Sequence, residues 1–475
     1  MAEIWQLSAV ETAREIRSGR LRAQAVMGAH IERMRAVNPE LNAVVVDMSE
    51  AALVAAWAAD KARAAGAELG PLHGVPVTIK INLDVEGQAN SNGVAAFTNI
   101  IAPGDSPVVS NLRAAGAIVI GMTNTPEFSM RAFTENALYG ITLNPWNGDF
   151  TCGGSSGGAG ASVAMGIGAI AHGNDIGGSL RWPAFCNGVS TIKSTQGRVP
   201  AFNPSATVER PLMAQLMSTQ GPLAREVADV RLALEVMSRR DPRDPWQVPA
   251  PLVGPPPARP IKVAVAKIPA DMETNPALMA LIDLAAGFLS DAGYAVEAVD
   301  IPDVSIAWRL WCDLICTEIA TLQEAQMREV GSPHFISALD GLLHMANILD
   351  GEGYMKALSN RARVLREWLA FLEEWPLILA PVSVKPPPSV HSDILGDLAV
   401  KEFFWNDFRF TSAISVLGLP SAVTPVGFAG HLPGLRDLPV GVQIIGQRYR
   451  EDMCLDAAAA IEARVGILAH QLWAR

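Results

Sequence analysis

Lys80 closes the short β-branched run Gly74-Val75-Pro76-Val77-Thr78-Ile79-Lys80, a pattern that predicts a buried strand with a lysine at its far end. Lysine is seldom fully buried without a reason. Neutralising it at pH 7 costs roughly 4 to 5 kcal/mol in water, and burial reduces that cost by lowering the pKa. A neutral lysine can take a proton from a serine hydroxyl, the Ser-Lys variant of the catalytic triad. Taken alone, Lys80 reads first as a structural lysine paired with Asp84 or Glu86.

Two serine loops supply candidate partners. In Cys152-Gly153-Gly154-Ser155-Ser156-Gly157-Gly158, glycines on both sides let the backbone approach a ligand closely. A phosphate loop would continue with Gly-Lys-Ser/Thr, whereas Ala159-Gly160 follow. The block also matches G-x-S-x-G in two registers, yet a nucleophile elbow follows a buried strand and residues 147–151 form a polar turn. In Gly173-Asn174-Asp175-Ile176-Gly177-Gly178-Ser179-Leu180-Arg181, Ser179 follows two glycines at the end of a short apolar strand. That suits a nucleophile whose own loop offers N–H groups to a developing oxyanion. Ala159 to Gly168 reads as a helix of small residues that packs closely and returns the chain, so Ser155 and Ser179 are expected to meet.

The elements that position these groups alternate between strand and helix, which predicts an α/β fold. Ser8 and Glu11 form a capping box that opens a helix. A second helix is expected over 21–36, ended by Asn38-Pro39, and a third over 49–65, stopped by Gly66. Strands are expected at 117–121, 261–266, 294–299 and 377–380, helices at 275–292 and 355–374, with 261–299 forming a βαβ unit. The prolines at 249–260 mark a candidate linker.

The chain has 475 residues, 49% of them hydrophobic and 18% charged, with a net charge of −11. No cationic excess is available for nucleic acid or an acidic membrane. Five scattered cysteines point to a reducing compartment. No run of about 18 apolar residues predicts a membrane span, and residues 1–6 lack the character of a secretion signal.

Residues 70–86, the Gly-Gly-Ser-Ser-Gly-Gly block and Asp175-Ile176-Gly177-Gly178-Ser179-Leu180-Arg181 together resemble the amidase signature family, the Ser-cisSer-Lys amidases typified by fatty acid amide hydrolase, aryl acylamidases and indoleacetamide hydrolases. The spacing agrees, with 75 residues from Lys80 to Ser155 and 24 from Ser155 to Ser179. Leu417-Gly418-Leu419-Pro420 and Leu438-Pro439-Val440-Gly441-Val442-Gln443 match the family's closing motifs.

The resemblance implies one α/β domain over 1–475, a central mixed sheet covered by helices on both sides, with a signature core at 66–205 and a variable pocket region at 206–400. It implies that Ser179 attacks an amide carbonyl while Ser155, following a cis peptide bond, relays the proton to neutral Lys80, and that water then clears an acyl-enzyme. The oxyanion would be held by the N–H groups of Ile176, Gly177, Gly178 and Ser179. Ser156 would hydrogen-bond Lys80, and Asp175 with Arg181 would pin the loop. Met130 and Phe133 are implied pocket residues. Cys152, flanking the site with Cys186, is a further pocket candidate that reads more simply as buried packing.

The chain departs from the family at Ile81, where many relatives are acidic, and at Asn174, where threonine or serine is common. Both are expected to affect pocket polarity and to leave Lys80, Ser155 and Ser179 untouched. His73 and His172 read as structural histidines rather than bases. Trp308, Trp311, Cys312 and Ile315 share a helical face, read as core with a pocket wall as the alternative.

The expected substrate is a small uncharged amide, anilide or carbamate, with no metal and no organic cofactor, no nucleic acid and no membrane. Cytoplasmic location and a homodimer follow from the same reading. The rival is the glutamine-hydrolysing subunit of a tRNA-dependent amidotransferase, disfavoured by the acidic balance and by Trp405-Asn406-Asp407, which does not resemble that branch.

Overall fold

A computed structural model describes residues 3–430 and 438–474. The first two residues of the stretch read for a secretion signal lie outside it. Eleven strands form one mixed sheet: β1 (Val44–Asp47), β2 (Pro76–Lys80), β3 (Ile118–Thr123), β4 (Ile170–Asp175), β5 (Ser190–Lys193), β6 (Thr219–Ala224), β7 (Lys262–Ala266), β8 (Ala295–Val299), β9 (Leu377–Pro381), β10 (Ser421–Phe428) and β11 (Pro439–Gly446). Their order across the sheet is β1-β3-β2-β4-β6-β5-β10-β11-β9-β7-β8. β2 runs parallel to both β3 and β4, which places the ends of β2 and β4, and hence Lys80 and Asp175, on the same edge.

Helices cover both faces. Along β9, Leu377 and Leu379 enter one core while Ile378 and Ala380 enter the other, and in β11 Ile444 and Ile445 divide the same way. A strand buried on both sides has no polar face, which is why β2, β3 and β11 read as nearly continuous apolar runs.

Helices packed on the two faces include α1 (Ala9–Arg17), α2 (Ala23–Leu41), α3 (Ser49–Ala64), α4 (Gly157–Ala164), α5 (Arg181–Asn187), α6 (Pro276–Asp291), α7 (Val304–Glu318), α8 (Gly351–Glu374), α9 (Asp397–Asn406) and α10 (Arg409–Leu417). The Ser8–Glu11 capping box opens α1. The β7-α6-β8 unit forms with Asn275 as its helix cap and its strands parallel.

Three expectations are corrected. α2 does not stop before Asn38-Pro39 but runs to Leu41. Pro39 sits in the last turn, where it forfeits one hydrogen bond. The end is closed by Asn42, left-handed at φ 52°, and by the Asn38 carboxamide, which accepts the N–H groups of Ala43 and Val44 at 2.9 and 2.8 Å. The helix expected over 159–168 instead spans Gly157–Ala164, and residues 165–169 form the turn into β4, which begins at Ile170. The proline-rich stretch is irregular, but it joins parts of one sheet, since β7, β8 and β9 continue it.

Candidate active site

Lys80, the last residue of β2, is fully buried, and its Nζ donates to Ser155 Oγ at 2.7 Å and to Asn174 Oδ1 at 2.8 Å. Burial pushes its pKa well below the ordinary value, against the opposing pull of the Asp175 charge. No carboxylate of a described residue forms a salt bridge with it. Asp84, the structural partner the sequence offers, instead accepts hydrogen bonds from Asn90 Nδ2 (2.7 Å) and from the hydroxyl (2.8 Å) and N–H (2.6 Å) of Ser205. Desolvation without a paired carboxylate disfavours the charged form of this amine.

Asn174 corrects the expectation that it leaves the three candidate residues alone. One strand position before Asp175, it holds Lys80 directly and passes the network on through Asn174 Nδ2 to Asn82 Oδ1 (3.1 Å) and Asn82 Nδ2 to Ser129 Oγ (3.0 Å). Ser156 is the converse correction. Its hydroxyl bonds the backbone C=O and N–H of Asn174, both at 3.3 Å, and not Lys80, because it faces the adjoining strand β4.

The peptide bond before Ser155 is cis, and the Ser155 carbonyl accepts Thr125 Oγ1–H at 2.9 Å. Ser179 lies in the turn between β4 and α5 with 9% of its surface exposed. Both serines line one cavity, and no hydrogen bond joins their hydroxyls.

The Ser179 turn is built around Asp175. Its Oδ1 accepts the Gly178 N–H (2.8 Å) and Oδ2 the Leu180 N–H (3.1 Å), while Arg181 grips both oxygens at 3.0 Å. Burial raises the Asp175 pKa, but the Arg181 charge and hydrogen bonds outweigh it and hold it below the usual carboxylate range. Arg181 also donates to Thr411 O, Ser415 Oγ and Gln443 Oε1, tying the turn to α10 and β11. Of the four N–H groups expected to hold an oxyanion, that of Gly178 is engaged by Asp175, whereas those of Ile176, Gly177 and Ser179 have no partner among the described residues. Gly178 has φ +144°, and a Cβ there would meet Thr411 Oγ1 at 2.8 Å, so only glycine fits.

The cavity has a vestibule of about 600 Å³ with mixed polar and apolar walls and an apolar chamber of about 40 Å³ beside Ser179. The chamber walls are Met130, Ile176, Gly177, Trp311, Ile315, Leu342, Phe404 and Phe408, with Arg131 at one side. Arg131 is paired with Asp393 at 2.8 Å and Glu135 at 3.1 Å. Met130 is one of these lining residues. Phe133 does not reach the cavity, because it packs behind the wall against Phe403, ring centroids 5.6 Å apart. Cys152 is also beneath the surface; its thiol donates to Thr142 O at 3.2 Å, and burial pushes its pKa up to about 12. The helical face of α7 is divided: Trp308 and Cys312 are core, while Trp311 and Ile315 face the cavity. Phe404 and Phe408 go unnoticed in the sequence, although Phe403, Phe404, Trp405, Phe408 and Phe410, so close together, signal an aromatic cluster.

Neither His73 nor His172 lines the cavity. His172 Nε2 contacts Gln220 at 2.8 Å and burial drives its pKa down to about 3, while His73 contacts Ala59 O. Among the described residues, Glu135, His334 and His391 are the group whose ligand atoms lie close enough to share a metal ion. Arg131 already holds that glutamate, and none of the three lines the cavity.

Known proteins resemble this one along its whole length. A family profile described as Amidase matches residues 25–455. An indoleacetamide hydrolase of Bradyrhizobium diazoefficiens is 61% identical over 470 residues, 99% of this chain and 88% of the relative. A glutamyl-tRNA(Gln) amidotransferase subunit of Moorella thermoacetica is 30% identical, over 97% of each chain. The crystal structure of a bacterial aryl acylamidase of the amidase signature family superposes with a TM-score of 0.82 at 26% identity, covering 99% of both chains. The chain belongs to the amidase family and is a hydrolase acting on carbon–nitrogen bonds other than peptide bonds.

Proposed function

We propose that the protein hydrolyses a primary amide of the indoleacetamide type through Ser179, Ser155 and Lys80. The observation that carries this reading is the buried Lys80 amine, which has no carboxylate partner among the described residues and is bonded to Ser155 in the cavity that Ser179 also lines. Neutral Lys80 takes the Ser155 proton as Ser155 takes that of Ser179, and the Ser179 oxygen attacks the carbonyl carbon. The C=O electron pair moves onto oxygen, held by the N–H groups of Ile176, Gly177 and Ser179. Collapse breaks the C–N bond, the relay run backwards protonates the departing nitrogen, and ammonia leaves. Water, deprotonated by the same relay, then attacks the Ser179 ester, and as the C–O bond breaks the relay returns that proton to the Ser179 oxygen and the carboxylic acid leaves.

The acyl group is assigned from the walls. Two phenylalanines, a tryptophan and aliphatic neighbours suit a flat uncharged ring, and the single charged wall residue, Arg131, is already neutralised by carboxylates. A volume of about 40 Å³ holds only a few waters, so an aryl group enters as walls such as Met130 swing aside. Five buried free cysteines fit a reducing cytoplasm, and we read the chain as one domain.

Turnover of indole-3-acetamide and glutamine, read as ammonia release, and of an anilide and an N-aryl carbamate, read as release of the aryl amine, each with parent and Ser179→Ala, tests this. The expected order places the aromatic acetamide first and leaves the variant inactive. Fastest turnover of glutamine would instead support the amidotransferase reading.

A further inference from the structure

Trp311, in the acyl wall, also braces the turn that carries the oxyanion donors. Its Nε1–H donates to the Ile176 carbonyl at 2.7 Å, and its ring lies so close over Gly177 that a Cβ there would stand 2.6 Å from Cζ2. The Ile176–Gly177 peptide is not among the cis bonds, so its C=O and N–H project to opposite sides of one rigid plane. Anchoring the carbonyl on the indole therefore turns the Gly177 N–H away from Trp311. That N–H has no partner among the described residues.

The next peptide behaves differently. Its carbonyl, Gly177 O, accepts Ser412 Oγ–H at 3.1 Å, and its N–H, Gly178, is taken by Asp175 at 2.8 Å. One peptide plane is used at both ends by the scaffold, whereas its neighbour is held by its oxygen alone with its hydrogen left available. Trp311 supplies that one-sided hold, and its ring is fixed in turn against Phe404, stacked at 6.0 Å and 19°.

We propose that Trp311 is a positioning residue for the reaction, orienting the Gly177 N–H toward the developing oxyanion through the Ile176 carbonyl. The inference rests on the reading of Ser179 as nucleophile. Without the indole N–H, the Ile176 carbonyl loses its partner at the edge of an apolar chamber, and the peptide plane can rotate. Pocket wall and oxyanion donor are thus set by one side chain, so an acyl group that displaces the indole also disturbs catalysis.

The test compares Trp311→Phe with the isosteric replacement of Trp311 by benzothienylalanine, which keeps the ring shape and removes the N–H. Two readouts are used: steady-state hydrolysis of an aromatic acetamide, and the rate of Ser179 phosphonylation by a small methyl fluorophosphonate, whose phosphoryl oxygen occupies the oxyanion position without filling the acyl chamber. Both variants are expected to lose about 10- to 100-fold in kcat with KM within about 3-fold, and to lose comparably in phosphonylation rate. Wild-type phosphonylation rates, or a loss confined to KM for the aromatic amide, would reduce Trp311 to a wall and overturn the proposal. If Trp311→Phe misfolds, the isostere decides. Labelling that persists in Ser179→Ala would reject the nucleophile reading itself, whatever the Trp311 variants do.

Discussion

The primary amine of Lys80 sits fully buried, bonded to one hydroxyl and one carboxamide and paired with no carboxylate among the described residues. A lysine whose folded pKa is depressed is neutral above that value and charged below it. Hydrolysis should therefore fall as pH drops through the lowered Lys80 pKa, giving an acid limb in kcat/KM well below pH 10. With Lys80 as the proposed base, Lys80→Met should abolish turnover while holding or raising the melting temperature, since it removes a desolvated amine from the core. Asn174 modulates the same group. Its Oδ1 favours the charged form, so Asn174→Ala should move the acid limb to lower pH and reduce kcat by roughly 10-fold. An unmoved limb would remove Asn174 from the network.

At the scale of elements, the Asp175–Arg181 pair joins β4 to α5, and Arg181 reaches on to α10 and β11. Both side chains are fully buried, so removing one leaves an uncompensated charge, a loss of about 3–5 kcal/mol. Arg181→Met should lower the urea midpoint accordingly and release the turn that presents Ser179. Arg181→Lys should rescue little, because the fork that grips both Asp175 oxygens and three further acceptors has no equivalent in an ammonium. Equilibrium unfolding of both variants, with parental stability as the contrary result, checks this.

Across the whole molecule, α1 is docked on a cluster of acids. Asp229 accepts the N–H groups of Ala9 and Val10 at 2.8 and 2.9 Å, and near it Glu226 and Glu462 are raised from 4.5 to about 7, by burial first and by neighbouring carboxylates second. Acids whose folded pKa is raised favour the folded state at low pH and lose that contribution as pH rises from their unfolded value toward 7. The protein should therefore melt higher near pH 6 than near pH 8. Glu462→Gln, which keeps an acceptor for the Val227 N–H, should narrow that gap by raising the pH 8 value; an unchanged difference would exclude the cluster.

Much of this was legible in the chain. A charge ending an apolar strand and serines between glycines single out Lys80, Ser155 and Ser179, although Lys80 alone reads first as structural and only the family resemblance joins the three; Asp175 and Arg181 are local to the turn they brace. Period and capping mark α1, the β7-α6-β8 unit and the α/β class, since those signals lie within a few residues. What touches what at long range was not legible. Asn174 rather than Ser156 meets Lys80, Asp175 consumes one of four expected oxyanion N–H groups, and Phe133 and Cys152 fall behind a wall built from Met130, Trp311, Phe404 and Phe408. The wall residues lie between 130 and 408, and their convergence depends on α7, α9 and α10 packing over one face of the sheet. Sequence carried the chemistry because reactive groups need particular neighbours along the chain; only tertiary structure decided the pocket, because apolar packing constrains volume and leaves open which side chain fills it.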